Sequence, residues 1–211
     1  MEPDPEHPEP LDEAPAPPEE GSFVTVGLIF YGVLAAAGIL WRIGFYGEPI
    51  LYAHAAGEAE GISLGRDVLL GVAAAVALIV FSDWTTKHTA WGETLADKMA
   101  EALGKISVPD AVLLAVASGF AEEIFFRGAL QPRVGWVLAS LLFGCVHFVP
   151  RKEFLPWTVF AIGAGFLFGA LYEWTGNLVA PVVAHIVVNG VNLPQLVKRN
   201  AEREAAPEEP L

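Results

Sequence analysis

Residues 109–130 read PDAVLLAVASGFAEEIFFRGAL. As a helix rising about 1.5 Å per residue, this run reaches across a bilayer core. Its second half nevertheless carries Glu122, Glu123 and Arg127. A charged side chain at the centre of a membrane helix costs on the order of 2.5–3.5 kcal/mol on insertion scales, and such charges persist when they pair, face a wet cavity or take part in chemistry. Spacing divides the three. Glu123 precedes Arg127 by four residues, the favourable order for an i,i+4 ion pair that pins a helix. Glu122 lies about 100° round the helix from Glu123 and has no partner on its own helix, so it is expected to point into a cavity. A carboxylate drawn out of water binds a proton more readily, as a general base must.

The surrounding chain is membrane-like. Of its 211 residues 54% are hydrophobic, and the mean hydropathy is +0.46, which implies several spans. The formal charge of −13 sits mostly at the ends. Residues 1–22 hold eight acids, seven prolines and no Lys or Arg, the composition of a disordered acidic tail rather than of a signal peptide. With the tails set aside the body is only mildly acidic. It lacks the basic patch that nucleic-acid binding needs. The single cysteine, Cys145, excludes an intrachain disulfide and a multi-cysteine zinc site.

Taken in order, the chain predicts an all-α polytopic transmembrane bundle of about six spans with one interfacial amphipathic helix. The spans fall near 23–45, 68–84, 109–130, 134–149, 157–174 and 178–197. Trp41 stands near the end of the first, and Arg42 beside it is able to snorkel outward. Residues 85–105 are too polar to span, but Leu95, Met99 and Leu103 share one helical face. That fits a helix on the interface or against the bundle. Gly165 and Gly169 form a GxxxG pair that lets helices approach closely. The parts are then a tail (1–22), two spans with the polar helix (23–105), a four-helix catalytic core (106–197) and a polar C-terminal tail (198–211). Lys and Arg outside the spans put both termini in the cytoplasm and the turn at 131–133 on the far side.

Two further spans carry polar pairs at i,i+4: Phe143 with His147, and His185 with Asn189. From the turns at 131–133 and 176–177, helix rise places Glu122 about 13 Å, His147 about 21 Å, His185 about 12 Å and Asn189 about 18 Å deep. The four can converge. One carboxylate and two imidazoles can activate a water against a carbonyl while His and Asn donors hold the oxyanion. Alternatively Glu122, His147 and His185 are a ligand set for Zn2+, although the HExxH signature is absent.

The pieces EExxxR at 122–127, FxxxH at 143–147 and HxxxN at 185–189, with Gly176-Asn177-Leu178 before the last, resemble the CPBP intramembrane proteases, the family of type II CAAX prenyl endopeptidases and of bacteriocin-processing and self-immunity proteins. The resemblance covers residues 109–192. It implies an intramembrane endopeptidase working by a glutamate mechanism without a cofactor. Glu122 and His147 would activate water, His185 and Asn189 would form the oxyanion site, and Glu123, Arg127 and Phe143 would support them. The implied partners are the lipid bilayer and a membrane-protein or lipidated-peptide substrate cut near its C-terminus. The implied location is the cell membrane, the inner membrane of a prokaryote. The family's cavity mouth would lie near the turn after the EE helix, the side that the charge count puts outside.

Other features read as packing. Gly61-Ile62-Ser63-Leu64-Gly65 matches G-x-S-x-G but lacks the strand–turn–helix setting that motif needs. Ser118, four residues before Glu122, is expected to bond back to its helix rather than serve a Ser–His dyad. Cys145 faces away from His147, and His7, His54 and His88 are expected to be solvated. The competing function is a non-catalytic membrane immunity or scaffold protein, or a small proton-coupled transporter. A transporter usually carries an internal repeat, and the halves show none.

Overall fold

The structure, a computed structural model, describes residues 20–205. The expected acidic tail lies outside them except for residues 20–22, which open the first helix. Nine α-helices account for the described chain, with one isolated bridge between Tyr52 and Asn177. They are α1 (Glu20–Ile39), α2 (Ala55–Glu60), α3 (Leu64–His88), α4 (Ala90–Leu103), α5 (Val108–Glu123), α6 (Gln131–Val134), α7 (Trp136–Val146), α8 (Leu155–Thr175) and α9 (Val179–Ala205). The polar C-terminal segment therefore continues α9 as helix as far as Ala205.

Among the described residues four helices are long and apolar enough to cross a membrane: Phe23–Phe45, Leu64–His88, Lys152–Thr175 and Val179–Ala205. The chain is an all-helical, multi-pass membrane bundle. These four, or five with one bent pair, are roughly consistent with the expected count of about six, and two segments account for the difference. The charged helix Val108–Val134 meets the same test only together with Ala90–Leu103, across a 100° bend. The fourth expected span is the 11-residue α7, about 16 Å long, roughly half a hydrocarbon core.

Two helices change pitch. α1 ends in a π-helical turn, Leu40–Phe45, and α5 runs into a second, Ile124–Leu130, before α6. Such turns leave backbone carbonyls without regular partners. Arg42, in the first of these turns, reaches across to the second, donating to the Gly128 carbonyl at 3.2 Å and to the Tyr52 carbonyl at 3.2 Å, with its Nε 3.0 Å from Glu48. Arg42 is buried and does not snorkel outward. A free carbonyl inside the bundle and a carboxylate to pair with outweigh the pull of the interface.

Helix α9 is the hub, packing against α3, α4, α5 and α8, while α7 lies along α8 and α1 leans on α5. Small residues set these distances. A Cβ on Gly119 of α5 would come within 2.8 Å of the Ile186 backbone nitrogen on α9. Gly165 and Gly169 do the same service between α8 and its neighbours, so the GxxxG pair works as its spacing predicts. Three donors reach the α8 backbone on that face: Arg127 Nη2 to the Gly165 carbonyl (3.0 Å), Trp136 Nε1 to Phe166 (2.9 Å) and Gln131 Nε2 to Gly169 (3.0 Å).

The turn between α8 and α9 is tied down from α3. Gly176 takes the left-handed conformation that ends α8. Asn177 then donates to the buried Asp67 carboxylate at 2.8 Å and accepts from the Val179 amide at 2.9 Å. Asp67 also pairs with Arg66 at 2.8 Å. Helix α4 starts at the Thr89 cap, whose hydroxyl accepts from the Gly92 amide, and stops at Gly104, where φ is 68°. Asp97 binds it to α9 through Arg199 at 2.7 Å. Helix α4 packs on the bundle against α3, α8 and α9.

Candidate active site

A cavity of about 1540 Å³ occupies the middle of the bundle and runs toward one end. Glu122, His147, His185 and Asn189 all line it, so three stretches of sequence meet at one wall. Leu95, Met99 and Leu103 of α4 form part of the opposite wall, which explains the apolar stripe on an otherwise polar helix. Its charged lining residues are Lys87, Lys152, Lys198 and Arg199, with Asp83, Glu122 and Glu202.

Glu122 and His147 meet because α7 is short. His147 is the residue that closes α7, about 18 Å along the helix axis from Gly135, and so stands at mid-depth at a helix end rather than within a span. Its Nδ1 lies 2.6 Å from the Phe143 carbonyl. A carbonyl only accepts, so Nδ1 carries the proton, and Nε2 is turned toward Glu122 Oε2 at 3.6 Å. That separation is too long for a direct hydrogen bond and suits two groups sharing one small molecule at an apex. Glu122 Oε2 is buried and has no hydrogen-bond partner among the described residues. Phe143, predicted to support His147, does so through its carbonyl and through a ring 4.6 Å from the imidazole.

His185 turns to the other carboxylate. Its Nδ1 donates to Glu123 Oε1 at 2.8 Å, and the same oxygen accepts from Arg127 Nη1 at 2.9 Å. Glu123 and Arg127 are almost fully buried, at 0% and 1%. The guanidinium is closed in by the Gly165 carbonyl and by the rings of Phe143 at 4.4 Å and Phe168 at 5.5 Å. The i,i+4 pair is present as its spacing predicts. Glu123, however, is more than half of a salt bridge, because it fixes the tautomer and tilt of a cavity histidine. Sequence spacing reveals contacts along one helix, whereas the Glu123–His185 bond crosses from α5 to α9.

Asn189 Nδ2 donates to the Ser118 hydroxyl at 3.0 Å, and Ser118 in turn donates to the Ala115 carbonyl at 3.2 Å. Ser118 thus bonds back to its own helix, as read from sequence, and His185 is committed to Glu123 instead. Cys145 is exposed. His54 caps α2, accepting from the Gly57 amide at 3.0 Å, while His88 is exposed and stacks on Trp84. His7 lies outside the described residues. Tyr31 of α1 also lines the cavity, next to Ser118 and Glu122. No motif marks it in the sequence.

The zinc alternative requires Glu122, His147 and His185 to converge on one ion. Among the described residues no three His, Cys, Asp or Glu side chains form a group that could hold a metal ion, and the Glu123 bond to His185 Nδ1 leaves its Nε2 for the cavity.

Residues 104–191 match the family described as Type II CAAX prenyl endopeptidase Rce1-like. That segment contains every motif residue from Glu122 to Asn189, in agreement with the resemblance read from the sequence. Among curated proteins the chain is similar to the uncharacterized protein YpbD of Bacillus subtilis (strain 168), with 37% identity over 102 residues, 47% of this chain and 52% of that protein. The chain thus spans about half the length of the curated relative it matches. No solved structure matches it.

Proposed function

With residues 104–191 as a type II CAAX prenyl endopeptidase Rce1-like domain for premise, we propose that this protein is an intramembrane endopeptidase that cleaves membrane-associated or lipidated proteins near their C-terminus. The observation that carries the reading is the buried Glu122 carboxylate 3.6 Å from His147 Nε2, in a cavity that His185 and Asn189 also line. A water at the apex of that pair gives one hydrogen to Oε2 and the other to Nε2, leaving a lone pair for a carbonyl carbon. As the C–O bond forms, its proton passes to the pair. The tetrahedral oxyanion is held by donors on the α9 side, the free Asn189 N–H and Nε2–H of His185. His185 must then be protonated on both nitrogens, and Glu123 supplies the negative charge that such an imidazolium needs. Collapse breaks the C–N bond, and the proton held by Glu122 and His147 leaves on the amine. No step runs through a metal.

Lys87, Lys152, Lys198 and Arg199 line the cavity, and by the positive-inside rule they support attack from the cytoplasmic side of the cell membrane. The test uses purified protein in liposomes and a quenched fluorescent peptide ending in a CAAX sequence, with and without a prenyl group. Cleavage by the wild type and none by Glu122→Gln is expected. Undiminished cleavage by that variant would sink the mechanism, and an immunity effect surviving it would favour a non-catalytic role.

A further inference from the structure

The face of α9 that carries His185 and Asn189 does not stop at the site. His185, Asn189, Asn192, Leu196, Arg199 and Glu202 recur every three or four residues and all line the cavity, and the helix runs on through Pro194. The cavity therefore follows α9 for about 26 Å. Helix rise gives the levels along it. From the turn at 176–177, Asn189 stands about 15 Å and Lys198 about 29 Å along α9, while Leu155, three residues after Lys152, stands about 30 Å back along α8. Lys87 lies about 30 Å along α3 from Asp67, which is bonded to that same turn. Lys87, Lys152, Lys198 and Arg199 thus line the cavity at one level. Two of them are engaged, Lys87 by Asp83 at 2.8 Å and Arg199 by Asp97 at 2.7 Å. Lys152 and Lys198 have no ion pair among the described residues. Against the lining carboxylate of Glu202 they leave one positive charge over.

We propose that Lys198 and Lys152 form the subsite for the terminal α-carboxylate of the substrate, and so set how far from its C-terminus a substrate is cut. A peptide whose scissile carbonyl lies at Asn189 is about 14 Å short of the level of Lys198. An extended chain advances about 3.3 Å per residue, so three residues end about 10 Å out. The flexible four-carbon stem of a lysine closes the remainder. A free carboxylate brings to that level the negative charge that two ammonium groups lack. A C-terminal amide brings none, and neither does a backbone that continues past it. The subsite reads the end of a chain and its distance from the cut.

This inference rests on the endopeptidase reading, and its experiment separates the two. Quenched CAAX peptides ending in a free carboxylate, in an amide, or in several extra residues are assayed in phosphatidylcholine liposomes. The wild type is expected to prefer the acid to the amide about fivefold in kcat/KM, the upper range for exposed ion pairs, and to lose the same factor on the longer peptide. Lys198→Gln and Lys152→Gln should each shrink that preference, the double variant should bring it near one, and Lys198→Arg should keep it. A ratio of two substrates on one protein cancels any loss of folded yield. Equal cleavage of acid and amide by the wild type overturns the inference, and so does a preference that survives in the double variant. A double variant that slows acid and amide alike, and only in liposomes containing phosphatidylglycerol, assigns the lysines to lipid headgroups and overturns it too. A second readout needs no cleavage: by fluorescence anisotropy, Glu122→Gln protein should bind the dye-labelled acid about fivefold more tightly than the amide, and replacing both lysines should abolish the difference. Equal binding overturns the inference. Full cleavage by Glu122→Gln refutes the endopeptidase mechanism instead, and the binding ratio then decides the subsite by itself.

Discussion

Glu123→Gln tests the central electrostatic argument, because it removes one charge and almost no volume. In the wild type, Glu123 Oε1 receives Arg127 Nη1 at 2.9 Å and His185 Nδ1 at 2.8 Å, with both Glu123 and Arg127 cut off from solvent. After the substitution Arg127 retains the Gly165 carbonyl and two aromatic faces, but its direct counter-charge is gone. Breaking a buried pair by removing one partner costs about 3–5 kcal/mol, since the survivor is left charged in a low-dielectric setting. The amide NH2 also faces donors, which holds the cost in that range. The assay is reversible unfolding in mixed micelles with rising SDS fraction, followed by tryptophan fluorescence. Glu123→Gln and Arg127→Met should each lose about 3–5 kcal/mol, and the double variant clearly less than their sum. If Glu123→Gln loses under about 1 kcal/mol, or if the two losses simply add, the pair is not the buried, mutually dependent unit described here.

The neighbouring carboxylate should behave in the opposite way. Glu122→Gln is expected to lower kcat/KM at least about 100-fold, as loss of a general base does. Its unfolding midpoint should stay level or rise, because Oε2 is buried with no hydrogen-bond partner among the described residues. Gly119→Val should cost about 1–3 kcal/mol by overpacking, since a Cβ there meets the Ile186 backbone. Gly32→Ala is the control, with no atom within 4 Å of the added carbon. Elemental analysis of active protein should show zinc that does not track activity, and chelation should leave cleavage unchanged. A stoichiometric zinc lost together with activity would overturn the water-only mechanism. Asp67→Ala should destabilise the turn through Asn177 and Arg66 by about 1–3 kcal/mol, read in the same unfolding assay.

Much of this was legible in the residues, and the gaps have physical causes. The polar pairs at i,i+4, the GxxxG face and the apolar stripe of residues 85–105 are periodic signals, and periodicity survives folding. Contacts between helices depend on rotational phase, which spacing within one helix does not carry. For this reason the partner of His185 was open until Glu123 was seen to reach it. The π turn Ile124–Leu130 is a change of pitch with no composition signal, and Arg42 is buried because that turn exposes a carbonyl to it. The length of α7 was misjudged because residues 134–149 are mostly apolar, whereas the helix ends at Val146 and leaves His147 to close it. Asp67, in the first turn of α3, has no motif around it to mark a special role. Its buried role came from a turn 110 residues further on.

Arg127, Gln131 and Trp136 all grip α8 by backbone carbonyl oxygens, and each also meets one of its side chains, Phe168, Glu173 and Phe166. A carbonyl is the same at every residue, so the spelling of this wall rests on those three side chains and on the small residues that admit the donors. The lipid-facing letters of α8, such as Val159 and Trp174, both exposed, can then be rewritten to suit another bilayer while Gly165 and Gly169 stay fixed. For an engineer, α8 is the helix on which this site can be moved to a thicker or thinner membrane without touching its chemistry.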